Sequence, residues 1–164
     1  MANNNLTVQR LHELVHYDAE TGALTWRIKP AMRINIGAPV GCLRKDGYLV
    51  TSIDKRTYRL HRLAWLYMTG AWPENDIDHI DGNRSNNAVS NLRDVSRSVN
   101  AQNKREAMGH NKSSGILGVS QKRGGWRARI TFDGREHATH HATIEEARAA
   151  YIASKRAHHP GNTL

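Results

Sequence analysis

The sequence predicts an α+β protein built on small antiparallel sheets. Short period-two segments recur along the chain, separated by turns such as Asp46-Gly47, Gly124-Gly125 and Asp133-Gly134. Helical spacing appears only in short stretches, most of them with a recognisable start or stop. The 164 residues are 38% apolar and 6% aromatic, with a mean hydropathy of −0.68. Any core is therefore small, and two small cores fit as well as one large one.

Val8, Leu11, Leu14 and Val15 recur at helical spacing, with Thr7 as N-cap. A turn at Asp18–Gly22 follows, and Leu24, Trp26 and Ile28 then alternate as a strand should. Residues 29–41 read as loop. A hairpin spans Tyr48–Ile53 and Thr57–Leu60 around Asp54-Lys55-Arg56, and a helix from His61 to Met68 stops at Gly70. After Trp72-Pro73 comes a polar stretch, Asp78 to Leu92, and then a strand over Leu92–Val95. Ser96 caps a polar helix that runs to about Met108. Residues 109–115 read as a linker, which separates residues 1–108 from residues 116–164. Beyond it, strands are predicted over about 116–121, 126–132 and 135–140. Thr143 and Glu146 form a capping box, and the helix they start runs toward His158 before Pro160-Gly161.

Lys and Arg number 24 against 15 Asp and Glu, a net charge of +9. That balance points to a polyanionic partner, most often nucleic acid, the plainer alternative being a basic surface kept for solubility. Residues 104–164 hold 11 basic and 5 acidic residues, a net +6, so the charge is concentrated in the smaller C-terminal part. The single cysteine, Cys42, excludes an internal disulfide and a cysteine-based zinc site. The N-terminal residues do not read as a signal peptide and no apolar run reaches membrane-spanning length, so a cytoplasmic protein with no membrane partner is expected. The pairs His140-His141 and His158-His159 lack the regular ligand array of a metal site.

Asp78-His79-Ile80-Asp81-Gly82-Asn83-Arg84-Ser85-Asn86-Asn87-Ala88-Val89-Ser90-Asn91-Leu92 holds four asparagines, two aspartates and a histidine. The calcium-loop pattern fails on position: counted from Asp76, Ile80 and Asp81 stand at positions five and six, and counted from Asp78, Ile80 stands at position three. Asp78 nevertheless offers a hard oxygen donor suited to Mg²⁺. His79 beside it could take a proton from water while a cation faces a phosphate, the two parts that phosphodiester hydrolysis needs. Asn91 and Asn100 lie 12 and 21 residues beyond His79, at a strand start and in the first turns of a helix.

At Asp78-His79-Ile80-Asp81-Gly82-Asn83, Asn86-Asn87, Asn91-Leu92-Arg93 and Asn100 the sequence resembles the HNH endonucleases, the ββα-metal group, in particular its phage and homing type. The resemblance implies that His79 is the general base, that Asn91 orients it, and that Asp78 and Asn100 hold one divalent cation, Mg²⁺ or Mn²⁺, with no structural zinc. Upstream, His61-Arg62-Leu63-Ala64-Trp65 is similar to the segment preceding the motif. Leu63, Trp65 and Leu66 read as packing, while Arg59 and Arg62 read equally as phosphate contacts or as a solvated face. The resemblance reaches Thr21-Gly22-x-Leu24-Thr25-Trp26-Arg27 without chemistry attached to it.

In Trp126-Arg127-Ala128-Arg129-Ile130-Thr131-Phe132 the period of two sends Trp126, Ala128, Ile130 and Phe132 to one face and Arg127, Arg129 and Thr131 to the other. The arginine face is expected to be free to lie against DNA. Gly118-Val119, Lys122, Trp126, Gly134-Arg135 and Thr143-x-Glu145-Glu146-Ala147 resemble the plant apetala and ethylene-response-factor DNA-binding domain. Lys122 and Arg135 fall where such domains place DNA-contacting residues, and Arg123 adjoins them. The expectation is a metal-dependent endonuclease, of homing or phage type, acting on double-stranded DNA as monomer or homodimer, in the host cytoplasm if phage-encoded. The alternative is a sequence-specific DNA-binding protein without cleavage activity.

Overall fold

A computed structural model describes residues 6–107, 111 and 113–164. The chain forms two compact units, Met1–Ser96 and Arg97–Leu164. It is a mixed α/β structure of small antiparallel sheets.

In the first unit, the Thr7 hydroxyl accepts from Arg10 N and starts α1 (Val8–Leu14). The chain passes directly into β1 (Val15–Tyr17), which pairs antiparallel with β2 (Leu24–Trp26). The turn between them is organised by Asp18, whose Oδ1 accepts from Glu20 N and Thr21 N. β2 stops at Trp26, short of the predicted Ile28. Ile28 is exposed, and Arg27 N is taken by Leu14 O. A two-residue strand, β3 (Cys42–Leu43), pairs with the edge of the next hairpin; two exposed residues carry no pattern that sequence could register. That hairpin, β4 (Leu49–Ile53) and β5 (Arg56–Arg59), turns through Asp54 and Lys55, both at positive φ. α2 (Leu60–Thr69) ends on Gly70 in the left-handed conformation, as predicted. Leu63 and Leu66 are buried and Trp65 packs partly against the core, which also gathers Leu11, Trp26, Ile53, Tyr58 and Ile77. β6 (Asp76–His79) pairs antiparallel with β7 (Leu92–Val95), placing Asp78 opposite Arg93 and His79 opposite Leu92.

In the second unit, α3 (Arg97–Gln102) is a six-residue helix, shorter than the predicted run to Met108. Its residues are exposed or half-buried, and a short helix without a buried face is marginal. Asn103 is instead buried and accepts from the Thr163 hydroxyl, while Gly161 N donates to Gln102 Oε1 at 3.0 Å. Met108 and Gly109 lie outside the described residues. Asn111 Nδ2 donates to Ile116 O and Val119 O, and β8 (Val119–Lys122) begins only after these bonds, later than predicted. β9 (Gly125–Phe132) and β10 (Arg135–His141) complete a sheet of order β10-β9-β8. The predicted faces hold: Ala128 and Ile130 are buried, while Arg129 and Thr131 are exposed. α4 (Ile144–His158) starts on the predicted Thr143–Glu146 capping box and lays Ala147 and Tyr151 on the sheet. Gly118 at φ +72 lets the ring of Tyr151 pass where a Cβ would stand 2.0 Å from Cε2. Lys155 is buried, and its ammonium donates to Lys104 O.

Candidate active site

β6 ends at His79, and a loop from Ile80 to Asn91 returns the chain to β7. Its shape comes from short polar side chains bonding nearby backbone. Asp81 Oδ1 accepts from Asn83 N at 2.7 Å, and Asp81 Oδ2 accepts from Asn86 Nδ2 at 2.7 Å. Asn83 Oδ1 takes Ser85 N and its hydroxyl. Asn83 and Asn86 are therefore turn formers. Partial burial pushes the Asp81 carboxyl up, but the bonds from Asn86, Asn83 and Asn91 together outweigh it and hold it below the usual carboxylate range.

Asn91 sits in a single 3-10 turn, Val89–Asn91. Its Oδ1 accepts from Asp81 N at 2.9 Å, and its Nδ2 donates to Asp81 Oδ1 at 2.9 Å and Asn86 O at 2.8 Å. These bonds close the loop. The side chain that meets His79 is a different asparagine: His79 Nε2 lies 3.1 Å from Asn87 Oδ1. Asn87, which has no role of its own in the sequence reading, is thus an asparagine whose side chain reaches the ring. Asn87 is 1% exposed, and its Nδ2 is buried with no hydrogen-bond partner among the described residues.

Asp78 and His79 are both buried, at 6% and 4% exposure, so both sides of the strand end are covered. Asp78 Oδ2 accepts from Arg93 Nε at 2.9 Å and Nη2 at 2.7 Å. The cross-strand register accounts for this pair. Burial lowers the His79 pKa below the ordinary histidine value, against the opposing pull of Asn87, Asp81 and Asp78. Two further rings adjoin His79 that sequence reading does not include in the site. His61, at the start of α2, meets it edge-on at 5.1 Å between centroids. Tyr48 lies 5.2 Å from His61 and 6.0 Å from His79. Arg59 and Arg84 both lie over the Tyr48 ring, at 4.3 and 5.1 Å from its centroid. Burial, then the neighbouring His79, Arg59 and Arg62, push the His61 pKa down to about 3.

The donor chemistry at Asp78 suits a hard divalent cation, which binds through one or two carboxylates and keeps water. Among the described residues no three His, Cys, Asp or Glu gather as a metal group. Asn100 lies on α3, in the second unit, and is half-buried.

Among the predicted DNA-contacting residues, Arg59 is exposed over Tyr48, and Arg62 donates to Asn75 O at 3.4 Å. Lys122, Arg123 and Arg135 are exposed at strand ends and turns of the second unit. Arg127 and Arg129 differ from expectation: both pair with Glu136, the Arg129 Nη1–Oε2 distance being 3.2 Å. The register puts Glu136 opposite Thr131, on the arginine face, so that face carries its own carboxylate.

Residues 58–102 match the family model described as HNH endonuclease. DNA endonuclease I-HmuI of Bacillus phage SP01 is 30% identical over 111 residues, 65% of this chain and 57% of that protein. Protein 3.8 of Escherichia phage T7 is 35% identical over 82 residues, 48% of this chain and 66% of that protein. The chain thus spans less than two thirds of the length of either relative. A solved structure described as DNA binding and cleavage by the HNH homing endonuclease I-HmuI aligns with 95% of this chain and 93% of its own at 23% identity and a TM-score of 0.45. The matched segment, residues 58–102, contains Asp78, His79, Asn91 and Asn100. No helix among the described residues is long and apolar enough to cross a membrane.

Proposed function

We propose that the chain is a metal-dependent endonuclease that hydrolyses phosphodiester bonds in double-stranded DNA. The observation that carries this is the strand end Asp78-His79 within the matched segment: a buried imidazole bonded through Nε2, beside a buried carboxylate. Asn87 Oδ1 can only accept, so Nε2 carries the proton and Nδ1 presents a lone pair. His79 takes a proton from water as the water oxygen attacks phosphorus. The bond from phosphorus to one deoxyribose oxygen breaks, and that oxygen leaves with a proton drawn from solvent. Asn91 keeps the loop closed around this geometry, and Arg93 fixes the Asp78 carboxylate. Of the two residues that the sequence resemblance names for one divalent cation, Mg²⁺ or Mn²⁺, Asp78 stands in the first unit beside His79; the cation, when bound, would offset charge on the phosphate and the leaving oxygen.

Residues 1–108 are then the nuclease part and residues 116–164 a targeting part of the apetala-like kind, joined through 109–115. Lys122, Arg123, Arg127, Arg129 and Arg135 are its DNA contacts, with Arg59 and Arg62 on the nuclease side. A monomer with one such site nicks one strand, and a homodimer cuts both.

The direct test is a supercoiled plasmid incubated with purified chain. Nicked or linear product is expected with Mg²⁺ or Mn²⁺ and none with EDTA; cleavage that persists in excess EDTA counts against a metal-dependent enzyme. The targeting role has its own measurement. If Arg127 and Arg129 leave Glu136 for phosphates, replacing both by glutamine flattens the slope of log affinity against log salt by about two units. An unchanged slope removes these two residues from the DNA footprint.

A further inference from the structure

We propose that Asn87 is the positioning residue for His79, and that the turn between β1 and β2 is the clamp that holds Asn87 in place. The proposal rests on the reading of His79 as the base. It adds a residue whose side chain reaches that ring, and it attaches a role to the Thr21-Gly22 segment.

The clamp is visible in three contacts. Tyr17, the last residue of β1, donates its hydroxyl to Asn87 O at 2.7 Å. Val89 N donates to Ala19 O at 3.0 Å. Gly22, at φ +74, lies so close to the loop that a Cβ there would stand 2.2 Å from Ala88 N and 2.3 Å from Asn87 C. Only glycine supplies both that backbone conformation and that approach. The turn itself is tied by Asp18 N to Ala23 O and Gly22 N to Asp18 O. Burial and the charge of Asp18 push the Tyr17 phenol up to about 12, so it remains a protonated donor.

Asn87 is thus held through its carbonyl and the two residues that follow it, and its side chain faces His79. Its Oδ1 meets Nε2, while its Nδ2 stays buried with no partner among the described residues. A buried donor without an acceptor costs stability. The arrangement therefore favours the orientation of the imidazole over the satisfaction of the amide. Asn91 and Asn87 divide the work: one closes the loop, the other reaches the ring. The hydrogen bond to one ring nitrogen sets which tautomer the imidazole adopts, and hence which nitrogen meets water.

The test reads the His79 ring by nitrogen-15 NMR at pH 7.5 without metal, alongside cleavage kinetics with Mg²⁺. In the unaltered chain a single tautomer protonated on Nε2 is expected; a ring protonated on Nδ1 overturns the proposal without recourse to any variant. Asn87→Ala should give a mixture of tautomers and lower kcat by about 10- to 100-fold, the range typical of lost outer partners of a working histidine. Its KM for DNA should stay within about twofold, since a lost orientation acts on the chemical step. Asn87→Asp retains an acceptor and should retain the Nε2–H ring, and Tyr17→Phe should lower kcat by several-fold in the same sense. An Asn87→Ala chain with unchanged kcat, or with an unchanged tautomer, overturns the proposal. The tautomer is read whether or not DNA is cut, so failure of the nuclease reading and failure of this one are distinguishable.

Discussion

His79→Ala is expected to lower DNA cleavage by about 10²- to 10⁴-fold, the contribution of a positioned general base. Affinity for DNA should change little. His79, at 4% exposure, adds little contact area with DNA, whereas Arg59, Lys122, Arg123 and Arg135 are exposed cations. The separation of the two effects is the informative part. A residue that merely holds the fold would, on truncation, lower binding and cleavage together. His79 packs against His61 and bonds to Asn87, so removing its ring leaves a small cavity and one amide oxygen without its donor. Circular dichroism and a gel-shift assay on the variant separate that cost from the chemistry. A His79→Ala chain that cuts plasmid at the unaltered rate would remove the histidine from the mechanism and leave Asp78 and Arg93 as a structural ion pair.

What sequence can and cannot reveal divides by range. The Thr143–Glu146 capping box, the Gly70 stop and the Asp133-Gly134 turn follow from residues within a few positions of one another, and the structure contains each as read. The alternation in β9 is equally local, and its buried and exposed faces are as expected. The roles within the polar loop are not legible in the same way. Asn83, Asn86, Asn87 and Asn91 are the same residue type within nine positions. Which of them faces the histidine is decided by Tyr17 and Gly22, some 65 to 70 positions away. The Asn86-Asn87 pair stands out in the sequence, but pattern alone has no means to send one amide outward and the other inward. The pairing of Arg127 and Arg129 with Glu136 shows the same limit in the second unit: a period of two sorts faces, but only the register of β10 brings a carboxylate onto the basic one. The short α3 marks a further boundary, since caps announce where a helix begins but not whether it finds anything to pack on.

Acid should destabilise the first unit well above the range where carboxylates protonate, and His61 is the reason. Its imidazole is 4% exposed, edge-on to His79, with Arg59 and Arg62 as further positive neighbours. Burial and those charges lower its folded pKa to about 3, from an ordinary histidine value of 6.5. A chain unfolded at pH 5 binds a proton at His61 that the folded chain refuses. Stability therefore rises with pH across this window, is fully present above about 6.5, and is lost progressively as pH falls toward 3. The full loss is on the order of 5 kcal/mol, a large share of what a small domain possesses. His79 is shifted in the same direction and adds to the effect. Asp18 and Asp81, both lowered, add their own loss only below their ordinary carboxylate range, so the interval from about pH 6.5 to 4.5 isolates the histidines. Urea unfolding followed by tryptophan fluorescence suits the measurement, because Trp26, Trp65 and Trp72 all lie in the first unit. The midpoint of the unaltered chain should fall steeply across that interval, and that of His61→Gln should fall less, because its amide takes up no proton. Parallel declines in the two chains would show that the folded protein accommodates the charged ring, and would place the acid sensitivity elsewhere than in the cluster around His79.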